Sequence, residues 1–298
     1  MSEPALSPRH PERLNISAGA ASVAVALVLV GLKLWALGET GALSVAASLA
    51  DSAMDLMVSL GGLAAIVYAA RPADEDHAFG HSSAEDLAAL GQSLFVMASA
   101  GVIGWAAVGR LLSDAPIPLA AEGRGMAVMA ASIVVTLGLV VWQRRVAART
   151  GSRVVKADSL HYVGDLLPNT GALVALWASS RFGLSQIDSV VALGAALMLA
   201  VGAAGIFKGA FDALMDRRAD PALVAGIAEI ARGWPGVHGF HDLKTRTAGA
   251  RVFVNIHIEL DGDQSLREAH AIGAALRRRI LETYPQTDVI VHKDVARN

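Results

Sequence analysis

Cysteine is absent from the 298 residues, which excludes a disulfide framework and any thiolate metal site. A metal, if one is held, must be held by His, Asp and Glu. Charge is scarce as well: Asp, Glu, Lys and Arg make up 17% of the chain, against about 25% in an ordinary soluble domain. A net charge of -2 gives no electrostatic footprint for a nucleic-acid partner. The first fifteen residues, MSEPALSPRHPERLN, lack the apolar core and small-residue cleavage site of a signal peptide, so residues 1–13 read as a short cytosolic tail. Neither HExxH nor GxSxG occurs, and no thiol nucleophile is possible. The chain is therefore not expected to be an enzyme.

What is abundant is apolar surface. The chain is 54% hydrophobic, with a mean hydropathy of +0.47. The charge deficit is uneven, being confined to the part before residue 212. Six runs are long enough to span a bilayer, which takes about 20 residues each: Ile16–Leu37, Ala42–Ala70, Leu87–Leu112, Ala120–Trp142, Ala157–Phe182 and Ile187–Phe211. Arg144, Arg145, Arg149, Arg153 and Lys156 crowd the fourth connection. With Arg9, Arg13, Arg71, Lys208, Arg217 and Arg218 they fall on one side of a six-span layout. Because Lys and Arg accumulate on the cytoplasmic side, both termini are expected to be cytoplasmic. After Asp212 the pattern becomes that of a soluble domain. Pro221–Arg232 reads as a helix, Phe240–Thr245 and Arg251–Leu260 as strands around a turn at Ala248-Gly249, Leu266–Tyr284 as a helix and Asp288–His292 as a strand. The expected architecture is an α-helical membrane domain of six helices over residues 14–211, then a small α+β domain of order αββαβ over residues 212–298.

The apolar runs contain charge where charge is expensive. Asp51 and Asp55 lie four apart in the second run, and His161 and Asp165 four apart in the fifth, a spacing that stacks each pair on one helix face. Ionisable groups inside a membrane mark a pathway or a site. Three carboxylates cannot all stay charged in one buried place without a cation, and Lys33 is the only basic residue in the first two runs. One nitrogen and three oxygens suit tetrahedral zinc; cobalt, cadmium or ferrous iron could use the same set, and the imidazole argues against manganese and magnesium. Metal and protons compete for such ligands, so a site that exchanges them needs only to face each side in turn to act as an antiporter. The loop RPADEDHAFGHSSAED places Asp74, His77 and His81 at spacings of three and four, as a second site of modest affinity or as a solvated acidic loop. In the tail, His241, His257, His270 and His292, with Asp294 two residues beyond the last, point to metal binding. Of the nine histidines only His10 and His238 fall outside these three groups.

These residues resemble the cation diffusion facilitators, in their bacterial zinc and ferrous-iron efflux branch. The resemblance rests on SLADSAMD, DEDHAFGHSSAEDLAALGQS, KADSLHYVGD, WPGVHGFHDLKTRTAG and VIVHKD, and covers nearly the whole chain after the tail. It implies a homodimeric secondary transporter in the bacterial inner membrane that exports divalent metal from the cytoplasm in exchange for protons. Zinc would be its substrate and also a structural or regulatory ion, with no organic cofactor. It implies a transport site of Asp51, Asp55, His161 and Asp165 and a loop site of Asp74, His77 and His81. It further implies a two-metal site of His241, His257, His270 and His292 with Asp294 bridging, on a metallochaperone-like αββαβ domain. Two features depart from the pattern. Ser82 and Ser83 stand where relatives often carry Gly and a Lys that pairs with an Asp after the last span, here Asp216; Pro168 is unusual in the fifth span. A membrane-anchored metal sensor or scaffold without transport is the first alternative, and an intramembrane aspartyl hydrolase is the second.

Overall fold

The computed structural model describes residues 9–40, 43–112, 123–166 and 187–296. Its first part is helical: α1 (Arg9–Thr40), α2 (Leu43–Ala69), α3 (Ser83–Leu111), α4 (Gly123–Thr150), α5 (153–166 as described) and α6 (Ile187–Leu214). Helix is the one solution for these single apolar segments, because every backbone polar group in lipid must be satisfied within its own segment. Pro11 falls in the first turn of α1, where no helical donor is lost.

On α3 the buried positions are Glu85, Asp86 and Gln92 in its first part, with Ala89, Ser93, Val96, Ala100 and Ala107 at helical intervals, while Val102 and Trp105 are 70% and 84% exposed. Small residues thus face the neighbouring helices and large apolar ones face outward. That is the membrane pattern, since lipid gives helices no hydrophobic reason to hide large side chains and close backbone approach supplies the packing. Five helices among the described residues are long and apolar enough to cross a bilayer. The expected fifth span, Ala157–Phe182, is described only as far as residue 166, so its second half, Pro168 and Arg181 lie outside the described residues. The connection after α4 is shorter than expected. The helix continues past Trp142 to Thr150, carrying Arg144, Arg145 and Arg149 on its last turns, and only Gly151 and Ser152 separate it from α5. Nothing in that stretch breaks a helix, and Gln143 and Val146 are fully buried there. Gly151 makes the reversal at φ 72, where its N–H reaches the carbonyl of Ala147.

The chain divides into two compact units, one of Glu12–Ala210 and one that contains Phe211–Asn298. The second holds α7 (Pro221–Arg232), β1 (Gly239–Ala248), β2 (Arg251–Leu260), α8 (Leu266–Thr283) and β3 (Thr287–Val295). Asp220 caps α7 ahead of Pro221, and Ser265 with Glu268 forms a capping box on α8. The sheet order is β1-β2-β3, with β2 antiparallel to β1 and parallel to β3. Val252, Val254, Ile256, Ile258 and Leu260 alternate into a core closed by Val224 and Ile227 of α7 and by Leu276 and Ile280 of α8, which leaves the odd-numbered positions of β2 on the open face. β1 extends past the expected Phe240–Thr245 at both ends, and a bulge interrupts its register between His241 and Lys244, with Asp242 at φ 49. The bulge adds one residue, so His241, Lys244 and Arg246 all pair with odd positions of β2.

Helix α7 approaches the end of α8 so closely at Gly226 that a Cβ there would overlap the Tyr284 hydroxyl. Gly226→Ala is expected to cost about 1–3 kcal/mol of stability through overpacking. Tyr284→Phe in the same chain should recover part of that loss, because the overlapping atom is the phenol oxygen. Paired denaturation curves of the two variants check both effects.

Candidate metal centres

α2 contributes Asp55 and α5 contributes His161 and Asp165. His161 is buried, with Nε2 3.1 Å from Asp55 Oδ1 and 3.9 Å from Asp165 Oδ2. One potential ligand atom from each of the three lies within 4.8 Å of the others, close enough for one ion to bridge. Phe95 of α3 meets the His161 ring edge-on at 5.6 Å between centroids, and this contact fixes the ring plane. Asp51 lies on α2 one turn before Asp55, but its side chain is outside the described residues. A cavity of about 50 Å³ adjoins the group, and Lys33, Ser52, Asp55, Thr136, Tyr162 and Asp165 are among its lining residues. Lys33 Nζ donates to Ser52 Oγ at 2.6 Å. The ammonium thus reaches the carboxylate cavity from α1, a placement its position in the sequence did not specify.

Beneath this group runs a buried polar network. Asp158 Oδ2 accepts from Ser22 Oγ at 2.5 Å and from Gln143 Nε2 at 2.6 Å. The Tyr162 hydroxyl shares a hydrogen bond with Ser59 Oγ at 2.9 Å and donates to the Ser22 carbonyl at 3.2 Å. Side chains from α1, α2, α4 and α5 therefore meet on the helix that carries His161 and Asp165. A second tie lies at the start of α3. Asp86, buried, pairs with Arg153 at 2.6 Å, and Glu85 accepts from Asn15 and Ser152 at 3.1 Å each.

In the loop, Asp74 Oδ1 accepts from the His77 backbone N–H at 2.7 Å and lies 3.3 Å from His77 Nδ1, while Asp74 Oδ2 lies 3.2 Å from His81 Nε2. The backbone hydrogen bond from His77 leads the causes that hold the Asp74 carboxyl below its usual range, so it stays an acceptor. His81 is buried under Tyr68, whose ring meets it edge-on at 4.6 Å. The expected trio is thus a compact group with one wall, and its ligand atoms also lie within 4.8 Å of one another.

On the open face of the sheet, Asp294 joins three histidines. Its Oδ2 lies 2.9 Å from His257 Nδ1 and 3.2 Å from His241 Nε2, and its Oδ1 lies 3.2 Å from His292 Nε2. The bond from His257 leads the causes that lower the Asp294 pKa. Glu259 adds a fourth kind of partner, 3.1 Å from His241 Nδ1. The register explains the grouping, since His241, His257 and His292 sit directly opposite one another on β1, β2 and β3. His270 stands apart, exposed on α8, and no described contact joins it to the others. Asp216, expected to lack its usual lysine partner, pairs with Arg246 at 3.3 Å inside the C-terminal unit. Ser82 is buried and Ser83 opens α3.

Several of these residues escaped sequence reasoning. Asp158 stood in KADSLHYVGD, three residues before His161, but its Gln143 partner lay one residue past the fourth run, in a stretch read as a connection. Glu259 was readable as the residue two past His257 on the same face of β2.

Two family models match the chain: the cation efflux transmembrane domain over residues 20–215, and the cation efflux protein, cytoplasmic domain, over residues 219–295. The cation-efflux pump FieF of Cronobacter sakazakii is 39% identical over 282 residues, covering 95% of this chain and 93% of the relative. Its namesake from Pectobacterium atrosepticum is 41% identical over 285 residues, covering 96% and 94%. Among solved structures, the zinc form of the putative zinc transporter CzrB is 32% identical, covers 27% of this chain and 92% of its own, and has a TM-score of 0.25. The metal-bound C-terminal domain of the CzcD transporter from Thermotoga maritima is 27% identical, covers 26% and 91%, and has the same TM-score of 0.25.

Asp158→Ala removes the acceptor that Ser22 and Gln143 share, leaving Ser22 Oγ with the Ala18 carbonyl at 3.1 Å and Gln143 Nε2 with Ser22 Oγ at 2.8 Å, and is expected to cost about 1–3 kcal/mol. Asp158→Asn keeps an acceptor oxygen and should cost less. Thermal melts of both variants in detergent give the order.

Proposed function

The chain belongs to the cation diffusion facilitator family, and from that premise we propose that it is a proton-coupled antiporter that exports divalent metal, zinc foremost, with cadmium, ferrous iron and cobalt as further cargo. That it is a multi-pass membrane protein of the cation efflux class follows from the matched domains and relatives. Our reading adds an inner-membrane location with both termini cytoplasmic and a homodimer. It also adds a membrane domain over 14–211 and a cytoplasmic domain over 212–298.

The 3.1 Å approach of His161 Nε2 to Asp55 Oδ1 carries the proposal. The two atoms are at hydrogen-bond distance, so without metal they share a proton. The same two atoms are the donors a divalent cation would take, so metal binding displaces that proton. Asp165 supplies a third ligand and Asp51 the fourth, giving one nitrogen and three oxygens as zinc prefers. Opening the site alternately to each side then exchanges metal for protons. Asp74, His77 and His81 form a second metal site in the loop. His241, His257, His292 and Asp294, with His270, serve the cytoplasmic domain, where bound metal stiffens the dimer.

Uptake of zinc into proteoliposomes under an imposed pH gradient tests the function, and an anchored sensor would bind metal without flux. Asp55→Ala and Asp165→Ala should each abolish transport and leave the fold intact; normal transport by both would refute the site. His161→Asp should raise the ratio of manganese to zinc transport, because an oxygen replaces the borderline-soft nitrogen. Competition uptake with both metals present measures that ratio.

A further inference from the structure

We propose that the cavity among α4, α5 and α6 binds the headgroup of an acidic glycerophospholipid. The cavity measures about 460 Å³ and is lined by residues that include Arg144, Lys156, Ser159, Leu160, Gly202 and Ile206, a volume in the range of small-molecule sites. Its two charged residues are both cations, and both are exposed. Among the described residues neither has a carboxylate partner, and no acidic side chain lines the cavity. Ser159, only 3% exposed, lines the same space, and its Oγ is buried with no hydrogen-bond partner. A buried hydroxyl without a partner is costly. A phosphate or glycerol oxygen entering the cavity supplies the acceptor or donor it lacks.

The rest of the lining decides between ligand classes. Two cations repel a divalent metal, so the cavity is not a vestibule for the transported ion. Leu160, Gly202 and Ile206 form an apolar wall, and Gly202 lets α5 and α6 close up, since a Cβ there would lie 3.0 Å from Leu160 Cδ2. Val141, three residues before Arg144 on α4, and Val201, next to Gly202 on α6, are 44% and 66% exposed, so these helices offer apolar surface for acyl chains. The depth fits as well. The apolar run of α4 ends at Trp142 and Arg144, Arg145 and Arg149 follow it on the same helix, so Arg144 stands two residues, about 3 Å, past the apolar run. From there an arginine extends its head to the level of lipid phosphates. Basic pockets between membrane helices are recognised sites for such headgroups. The occupant we assign is a phosphodiester on a glycerol with two acyl chains, held by Arg144 and Lys156 on the phosphate and by Ser159 on a glycerol or ester oxygen.

The test uses the full-length protein in detergent micelles, with native mass spectrometry counting retained lipids and a thermal melt reading stability. The probes are dioleoyl phosphatidylglycerol, dioleoyl phosphatidylcholine, glycerol phosphate and inorganic phosphate. Phosphatidylglycerol should be retained in preference to phosphatidylcholine and should raise the melting temperature. Arg144→Gln combined with Lys156→Gln should reduce the preference about 25-fold, from about fivefold per basic side chain near an anionic headgroup. The charge-keeping pair Arg144→Lys with Lys156→Arg should retain it. Equal retention of the two lipids by the unaltered protein overturns the proposal, whatever the folding of the variants. Survival of the preference in the double glutamine variant also overturns it, by moving the acidic lipid elsewhere. Full stabilisation by glycerol phosphate or inorganic phosphate at equal concentration overturns the lipid assignment in favour of a free-phosphate site.

Discussion

Two carboxylates and one imidazole, from two helices, converge inside an apolar bundle. Charge in such a place persists only when it is matched, and the rest of the membrane unit is arranged to make the matching possible. His161 comes between Asp55 and Asp165. Phe95 meets the imidazole ring in a T-shaped contact, and the small residues of α3 let the helices approach closely enough for this. If any one of these helices were rotated by a single residue, about 100° on a helix, the donors would point into the packing of a neighbour and not at one another.

The network below the site shows how that rotation is resisted. Asp158 binds α5 to α1 and α4 through Ser22 and Gln143, all three nearly fully buried. Asp158 Oδ1 and Gln143 Oε1 stay buried without a partner, so the direction of the network comes from the bonds to Asp158 Oδ2, which a rotation of α5 would break. Asp86 with Arg153 and Glu85 with Ser152 do the same between the start of α3 and the start of α5. By contrast, α2 meets the Asp158 network, among the described residues, through the single Ser59–Tyr162 contact. α2 is joined in addition to α1 through Lys33 and Ser52 and to α5 through Asp55 and His161, so directional bonds hold both ligand-bearing helices.

Much of this was legible in the residues themselves. The i, i+4 spacings of Asp51 with Asp55 and His161 with Asp165 announced a site because polar groups stand out against lipid-facing sequence. The boundaries of α7 and β2 could be read to the residue, since Asp220-Pro221 is a start signal and β2 alternates without interruption. What could not be read was register and reach. The bulge at Asp242 depends on one residue of slippage that the composition of β1 does not mark. Asp158 and Gln143 look like isolated polar residues until the tertiary fold brings them to 2.6 Å. Glycine, serine and alanine in the spans told of close packing but not of which helix lay against which. The end of α4 was misplaced for a different reason: arginines after an apolar run read as a loop to hydropathy, yet they are good helix formers, and the helix simply carried on to Thr150.

Lys33 sharpens the electrostatic argument. It lines the same small cavity as Asp55 and Asp165, so the one basic residue of the first two runs stands as a fixed positive neighbour of the carboxylates. If Asp51 completes the set, three carboxylates face one ammonium, and two negative charges remain to be matched. A monovalent ion leaves one of them uncompensated in a low-dielectric cavity, and a trivalent ion overshoots, each at a cost that rises steeply as water is excluded. A divalent cation closes the balance, and so do two protons. On the proposed four-ligand site, the ammonium of α1 sets the total charge that an occupant has to meet.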